Sequence, residues 1–179
     1  RWYITVKALF TTSAAMSGRR KKGASKTTKA IVDQRNQRVK IISMGDSTAG
    51  KSCLIKRFCE DKFVSKYLRT IGVDFGVKPV KINDTTIKIN FWDMSGHDEF
   101  LEVRNEFYKD SQGGVLVFDA SSRASFDNLR QWIAETKKYG GSRLIGMVVA
   151  NKIDLKREVS ANEASAWARQ NGYLYAECS

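Results

Sequence analysis

An α/β fold, a mostly parallel sheet flanked by helices, is what this sequence predicts, on three observations. Short apolar runs rich in Val, Ile and Phe alternate with stretches of helical periodicity, and parallel neighbours need such crossover helices. The first run ends in Gly-Asp-Ser-Thr-Ala-Gly-Lys-Ser at 45–52, a complete G-x-x-x-x-G-K-S loop that passes directly into the helix-compatible stretch 53–58. A later run, 144–150, ends in Asn151-Lys152-Ile153-Asp154. Both polar motifs therefore sit at the carboxyl ends of predicted strands, where open α/β sheets bind ligands.

Taken in order, Val39, Ile41 and Ile42 mark a first strand at 39–44, and Leu54, Ile55 and Phe58 the apolar side of the helix after the loop. Strands at 75–82 and 86–92 follow, joined by Asn83-Asp84, a pair suited to a hairpin turn. The run 114–119 is a fourth strand, and Phe126, Leu129, Trp132 and Ile133 form one helical face that stops at Gly140-Gly141. After the strand at 144–150, Ser160-x-x-Glu163 reads as a capping box for a helix carrying Ala164, Trp167 and Ala168, with Asn171-Gly172 as its stop. A sixth strand is expected at 173–178, and there are no internal repeats.

The first motif has the chemistry of a phosphate cradle. Glycines let the backbone at Gly45, Ser47, Thr48, Ala49 and Gly50 curl so that N–H groups converge, and the helix start at Lys51, Ser52 and Cys53 adds its positive end. Lys51 reaches the β- and γ-phosphates of a nucleoside triphosphate, and Ser52 offers a hydroxyl to Mg²⁺. The second motif reads the base. An Asp at position 154 can accept from both the ring N1–H and the exocyclic amine of guanine, an amine that adenine lacks, beside Asn151 and Lys152.

Between the motifs, Phe91-Trp92-Asp93-Met94-Ser95-Gly96 closes a strand, and Tyr67-Leu68-Arg69-Thr70-Ile71-Gly72-Val73-Asp74-Phe75 begins without helical periodicity. With these segments the chain, from about Arg38 to Ser179, resembles the Ras superfamily of small GTPases, its Rab branch in particular. The phrasing at 42–45, 62–68, 93–97 and 102–110 is most similar to the Rab-like GTPases that carry a C-terminal J domain, although these 179 residues contain no J domain. The resemblance implies a Ras-like G domain over 38–179, a P-loop NTPase fold that binds GTP or GDP with Mg²⁺ and hydrolyses GTP. It further implies that Ser52 and Thr70 ligate Mg²⁺, that Asp93 holds it through water, that the Gly96 N–H senses the γ-phosphate and that Phe63 lies against guanine. Exchange factors, GTPase activators and effector proteins would then read two switch loops, 63–76 and 94–110. The segment ending in Glu177-Cys178-Ser179 resembles the family's Glu-Thr-Ser-Ala segment, so the last helix of the domain is not in this sequence and one sheet face is expected to expose apolar surface.

The departure from the family is His97. Most members have Gln there to orient the attacking water, and an imidazole cannot present a donor and an acceptor from one amide, so Lys51, Thr70 and His97 make up a weak catalytic set. Met94 and Ser95 replace the common Thr-Ala. Arg69 precedes Thr70, so in extended chain it faces away from the γ-phosphate. Two function classes follow: a slow GTP hydrolase acting as a switch, or an effectively non-hydrolysing, GTP-bound scaffold or interaction module.

Charge locates the remaining features. The chain carries a net charge of +12, yet residues 1–40 hold eleven basic side chains against the single Asp33, leaving the rest nearly neutral. Residues 1–37 read as a basic, disordered arm, and the first fifteen, ahead of Met16, as a segment foreign to the natural protein. The cluster at 19–29 suits a nuclear-import or anionic-membrane contact. Nucleic acid is disfavoured, since no aromatic side chain accompanies the charges at 19–40 for bases to stack upon. No run of eighteen apolar residues is present, and Cys53, Cys59 and Cys178 lack metal-binding spacing and read as buried thiols. An intracellular, cytoplasmic protein is expected, with the nucleus or a membrane surface as further addresses of the arm.

Overall fold

The computed structural model describes residues 37–63, 68–82, 85–141 and 144–179. The basic arm at 1–36, Tyr67 and the Asn83-Asp84 turn lie outside them.

Six strands form one sheet: β1 Gln37–Met44, β2 Val73–Ile82, β3 Thr85–Met94, β4 Gly113–Asp119, β5 Ile145–Asn151 and β6 Leu174–Glu177. Their order is β2-β3-β1-β4-β5-β6, with every pairing parallel except β2 with β3. Each expected strand is present to within two residues at either end. β1 includes Gln37, the last residue of the stretch read from the sequence as the arm. The β2–β3 register runs from Val73 opposite Met94 to Ile82 opposite Thr85, as a two-residue connection requires. As the edge strand, β2 carries Lys78, Pro79 and Lys81, residue types that discourage further pairing.

Helices close both faces. One side of the sheet packs α1 (Lys51–Glu60); the other packs α3 (Arg123–Asp127), α4 (Leu129–Lys138) and α5 (Ala161–Gln170). The period-2 alternation of a strand divides the core between them. Thus Ile41 faces α1 with Phe58 and Phe91, while its neighbour Ile42 joins Leu116, Leu129 and Trp132 on the opposite face. The Phe58 and Phe91 rings meet edge-on at 5.5 Å.

Three expectations are corrected. The single helix read from Phe126 to Ile133 is two, α3 and α4, with Asn128 between them at near-helical dihedrals (φ −69, ψ −13), so the apolar face stays continuous. The capping box of α5 is half formed: Ser160 accepts from the Glu163 N–H at 3.2 Å, but the Glu163 carboxylate turns to Arg123, whose two terminal nitrogens donate to it at 2.6 and 2.8 Å. The two-pronged guanidinium outcompetes a lone backbone N–H. Last, the α1-facing side is not an open apolar surface, since Val115, Val117, Met147, Val149 and Ala176 are all at most 7% exposed.

The cysteines are partly buried, not buried. Burial nevertheless raises the Cys59 thiol and pushes that of Cys178 up to about 12, so neither is a ready nucleophile. Among the described residues no helix is long and apolar enough to cross a membrane.

The core makes a direct prediction. Leu116 on β4 is 0% exposed, so Leu116→Ala should lower the unfolding free energy in urea by about 2–5 kcal/mol with an unchanged denaturant slope. A loss below about 1 kcal/mol would show that this position is not the close-packed centre assigned to it.

Candidate functional site

A cavity of about 500 Å³ opens at the carboxyl ends of β1, β3 and β5 and beside β6. Ser47, Thr48, Gly50, Lys51, Ser52, Cys53, Phe63, Thr70, Gly96, His97, Asn151, Lys152, Asp154 and Ser179, all singled out from the sequence, line it. Gly45, Ala49 and Asp93 stand behind the wall. The strand order changes direction around β1, which has β3 on one side and β4 on the other, and such a switch point leaves a crevice between diverging loops.

The loop from β1 to α1 is bent through left-handed dihedrals at Gly45, Thr48 and Gly50 (φ 132, 64 and 93). Gly50 caps α1 with no side-chain hydrogen bond, and the helix has no acid in its first turn, so its N–H groups and positive pole face the cavity unopposed. No larger residue fits at Gly50, because a Cβ there would lie 2.2 Å from Asn151 Nδ2. That amide donates instead to Ala49 O at 2.8 Å, tying the loop to the end of β5. Asp46 ties the other side: its carboxylate accepts from Asn128 Nδ2 at 2.7 Å and from the Trp132 indole N–H at 2.8 Å. Lys51 folds inward and donates to the carbonyls of Gly45 and Asp46 at 2.7 and 2.8 Å. Burial pulls its ammonium down to about 8 despite the charges of Asp93 and Asp46, as befits a cation placed for an anionic guest.

Beside Lys51, the hydroxyls of Ser52 and Thr70 meet at 2.8 Å. Asp93 stands next to them, oriented by Ser43, its direct register partner on β1, whose hydroxyl donates to Asp93 Oδ1 at 2.7 Å. Burial raises the Asp93 carboxyl, outweighing the hydrogen bonds of Ser52 and Ser43 and the charge of Lys51. A hard cation beside it would reverse that balance. Among the described residues no three His, Cys, Asp or Glu side chains gather to hold a metal alone. One carboxylate and two hydroxyls instead suit Mg²⁺, which completes its shell with waters and phosphate oxygens. Gly96 presses on the loop so closely that a Cβ there would lie 2.3 Å from Ser47 N. His97 lines the same wall, and its Nε2 is buried without a hydrogen-bond partner among the described residues.

At the far end, Lys152 holds φ 57 and pairs with Asp119 at the tip of β4 at 2.6 Å. The Ser179 hydroxyl donates to Asp154 Oδ1, and both residues line the cavity. Phe63 is 74% exposed at the rim. Arg69 turns outward, as alternation predicts, to pair with Glu99 and lie 5.3 Å from the Phe100 ring.

Sequence reasoning missed Asp46 and Asp119. Each is one acid next to a motif, and only its partners, Asn128 with Trp132 and Lys152, reveal that it braces a loop. A row of rings was also missed: exposed Phe75 packs on partly buried Trp92, and Trp92 on partly buried Phe107, across β2, β3 and the turn after α2 (Leu101–Arg104), with tilted rings whose centroids are 4.7 and 4.9 Å apart. Exposed Ile71 and Val103 flank them.

Comparison with known proteins agrees with this geometry. The Ras family model matches residues 40–179. The chain is 50% identical over 154 residues to DnaJ homolog subfamily C member 27 of Danio rerio, covering 82% of this chain and 56% of that protein. It is 51% identical over 152 residues to the Homo sapiens protein of that name (81% and 56%), and 47% identical over 152 residues to DnaJ homolog subfamily C member 27-B of Xenopus laevis (79% and 55%). The chain thus spans little more than half the length of these relatives, whose name matches the resemblance to J-domain-carrying Rab-like GTPases. With a phosphate-type loop, a switch-point cavity and a family model matched over residues 40–179, the chain belongs to the Ras family.

Proposed function

We propose that the protein is a guanine-nucleotide switch that binds GTP or GDP with Mg²⁺, hydrolyses GTP slowly and signals through the loops 63–76 and 94–110. The observation that carries this reading is the 2.8 Å contact between Ser52, fixed on α1, and Thr70, on a loop. A cation held by both, with Asp93 behind, couples loop order to the nucleotide. Mg²⁺, when bound, supplies neutralising charge to the β- and γ-phosphates. Thr70 and the Gly96 N–H touch only a triphosphate, so both loops order with GTP and loosen after hydrolysis.

The loop N–H groups from Gly45 to Cys53 and Lys51 hold the phosphates. Asp154 reads the guanine N1–H and amine, with Asn151 and Lys152 bracing the wall, Phe63 packing on the ring and Ser179 orienting Asp154. His97 stands where the attacking water is oriented, a role supported by its place in the cavity wall directly after Gly96. Its single nitrogen does this less well than an amide, so intrinsic turnover is slow.

A second reading, a GTP-bound interaction module without effective turnover, draws on the exposed apolar side chains Ile71, Phe75 and Val103, a surface suited to a protein partner. Effectors, exchange factors and activators would meet the protein there under either reading.

Two predictions follow from these assignments. Lys51→Ala and Asp154→Ala should each weaken GTP and GDP binding at least about tenfold, the scale of a charge-assisted hydrogen bond of roughly 1.5–3 kcal/mol, in titrations with a fluorescent nucleotide. Competition by ATP as effective as by GTP would overturn the guanine assignment. In single-turnover assays the wild type should hydrolyse GTP more slowly than about 10⁻² s⁻¹, the rate of a G-protein α subunit that supplies its own arginine. His97→Gln should be a few-fold faster and His97→Ala slower. Equal rates for wild type and His97→Ala would remove His97 from the chemistry, and undetectable turnover in all three would favour the interaction module.

A further inference from the structure

Arg104, at the end of α2, is the largest fully buried side chain among the described residues, 2% exposed, and nothing in the mechanism above uses it. Its guanidinium works along two edges. Nε and Nη2 donate to the two carboxylate oxygens of Glu135 on α4 at 2.6 and 2.8 Å. Nη1 donates to the His97 carbonyl at 2.6 Å and lies 3.4 Å from that of Ser95. Tyr108 completes the set, its hydroxyl donating to Glu135 Oε1 at 2.7 Å. The face of the guanidinium rests 4.6 Å from the centre of Trp132, the residue whose indole N–H grips Asp46 of the phosphate-type loop.

We propose that Arg104 is a positioning residue: anchored on Glu135 and Tyr108, it holds the backbone on both sides of Gly96 and so sets where the His97 imidazole lies. This rests on the reading that His97 acts at the terminal phosphate. A buried ion pair by itself is poor evidence for stability, because well-packed apolar residues often serve as well. What apolar residues cannot supply is a donor for the carbonyls flanking Gly96. Lysine cannot supply it together with the Glu135 fork, since an ammonium has no second planar edge. The arrangement links three structures by contact: the rigid helix α4, the loop that bears Asp46, and the segment 95–97.

His97 is the only histidine in the chain, so its imidazole C–H resonances report the position of this segment without ambiguity. The variant to test pairs Arg104→Met with Glu135→Gln, which removes both charges and leaves no uncompensated ion in the core. In Mg²⁺ with a non-hydrolysable GTP analogue, its imidazole signals should shift and broaden relative to wild type. Affinity for GDP should stay within a few-fold, and single-turnover hydrolysis should fall by on the order of tenfold or more, the cost of misplacing a group at the reacting centre. Unchanged imidazole signals in the folded double variant would overturn the assignment. If the double variant does not fold, Arg104→Lys, which keeps a cation beside Glu135, must displace the same signals, and failure to do so also overturns it. Displaced signals with a hydrolysis rate equal to wild type, matched by an equally active His97→Ala, would uphold the latch and refute the catalytic reading of His97.

Discussion

Keeping the β1–α1 loop curled open is the constraint on which the site depends. A chain bent through left-handed dihedrals at 45–50, one of them at the β-branched Thr48, does not hold that shape by its own propensity. It is held from outside. Asn151 fixes the Ala49 carbonyl from β5, Asn128 and Trp132 fix Asp46 from the α3–α4 side, and Lys51 closes the interior. With those ties, N–H groups that would otherwise seek water or each other remain aimed at a common point.

The sheet provides the frame for those ties. Parallel pairing brings the carboxyl ends of β1, β3, β4 and β5 to one edge, and register decides which side chains meet there. Ser43 lies opposite Asp93, so one hydroxyl orients the carboxylate without any loop contributing. Asp119 lies opposite Asn151, which places it to pair with Lys152 one residue further on. Rigid strand ends thus carry the fixed groups, and the residues expected to respond to a ligand, Thr70 and Gly96, sit on the connections.

Mechanical continuity between these parts runs through α4. Trp132 holds the β1–α1 loop with its indole N–H and supports the Arg104 guanidinium with its ring, and Glu135, three residues along the same helix face, takes the other edge of that guanidinium. At β2 and β3 the packing is built differently, from tilted rings that run from exposed Phe75 to partly buried Trp92 and Phe107.

How much of this was legible beforehand follows from the range of the forces involved. The strands, the phosphate-type loop, the Asn151–Asp154 motif and the hairpin register are local, written in apolar period, in glycine and in turn residues. The family resemblance then added Thr70 and Gly96, which line the same cavity, and Asp93 behind its wall. What the sequence could not display was pairing across distance. Glu163 matched a capping box, yet its carboxylate went to Arg123, forty residues away in the chain. Nothing in the sequence marked Asp46 or Arg104, which found their partners, Trp132 and Glu135, only through packing. A buried charge is tolerated only where a partner is delivered to it, and that delivery is a property of the folded sheet and its helices, not of any segment read alone.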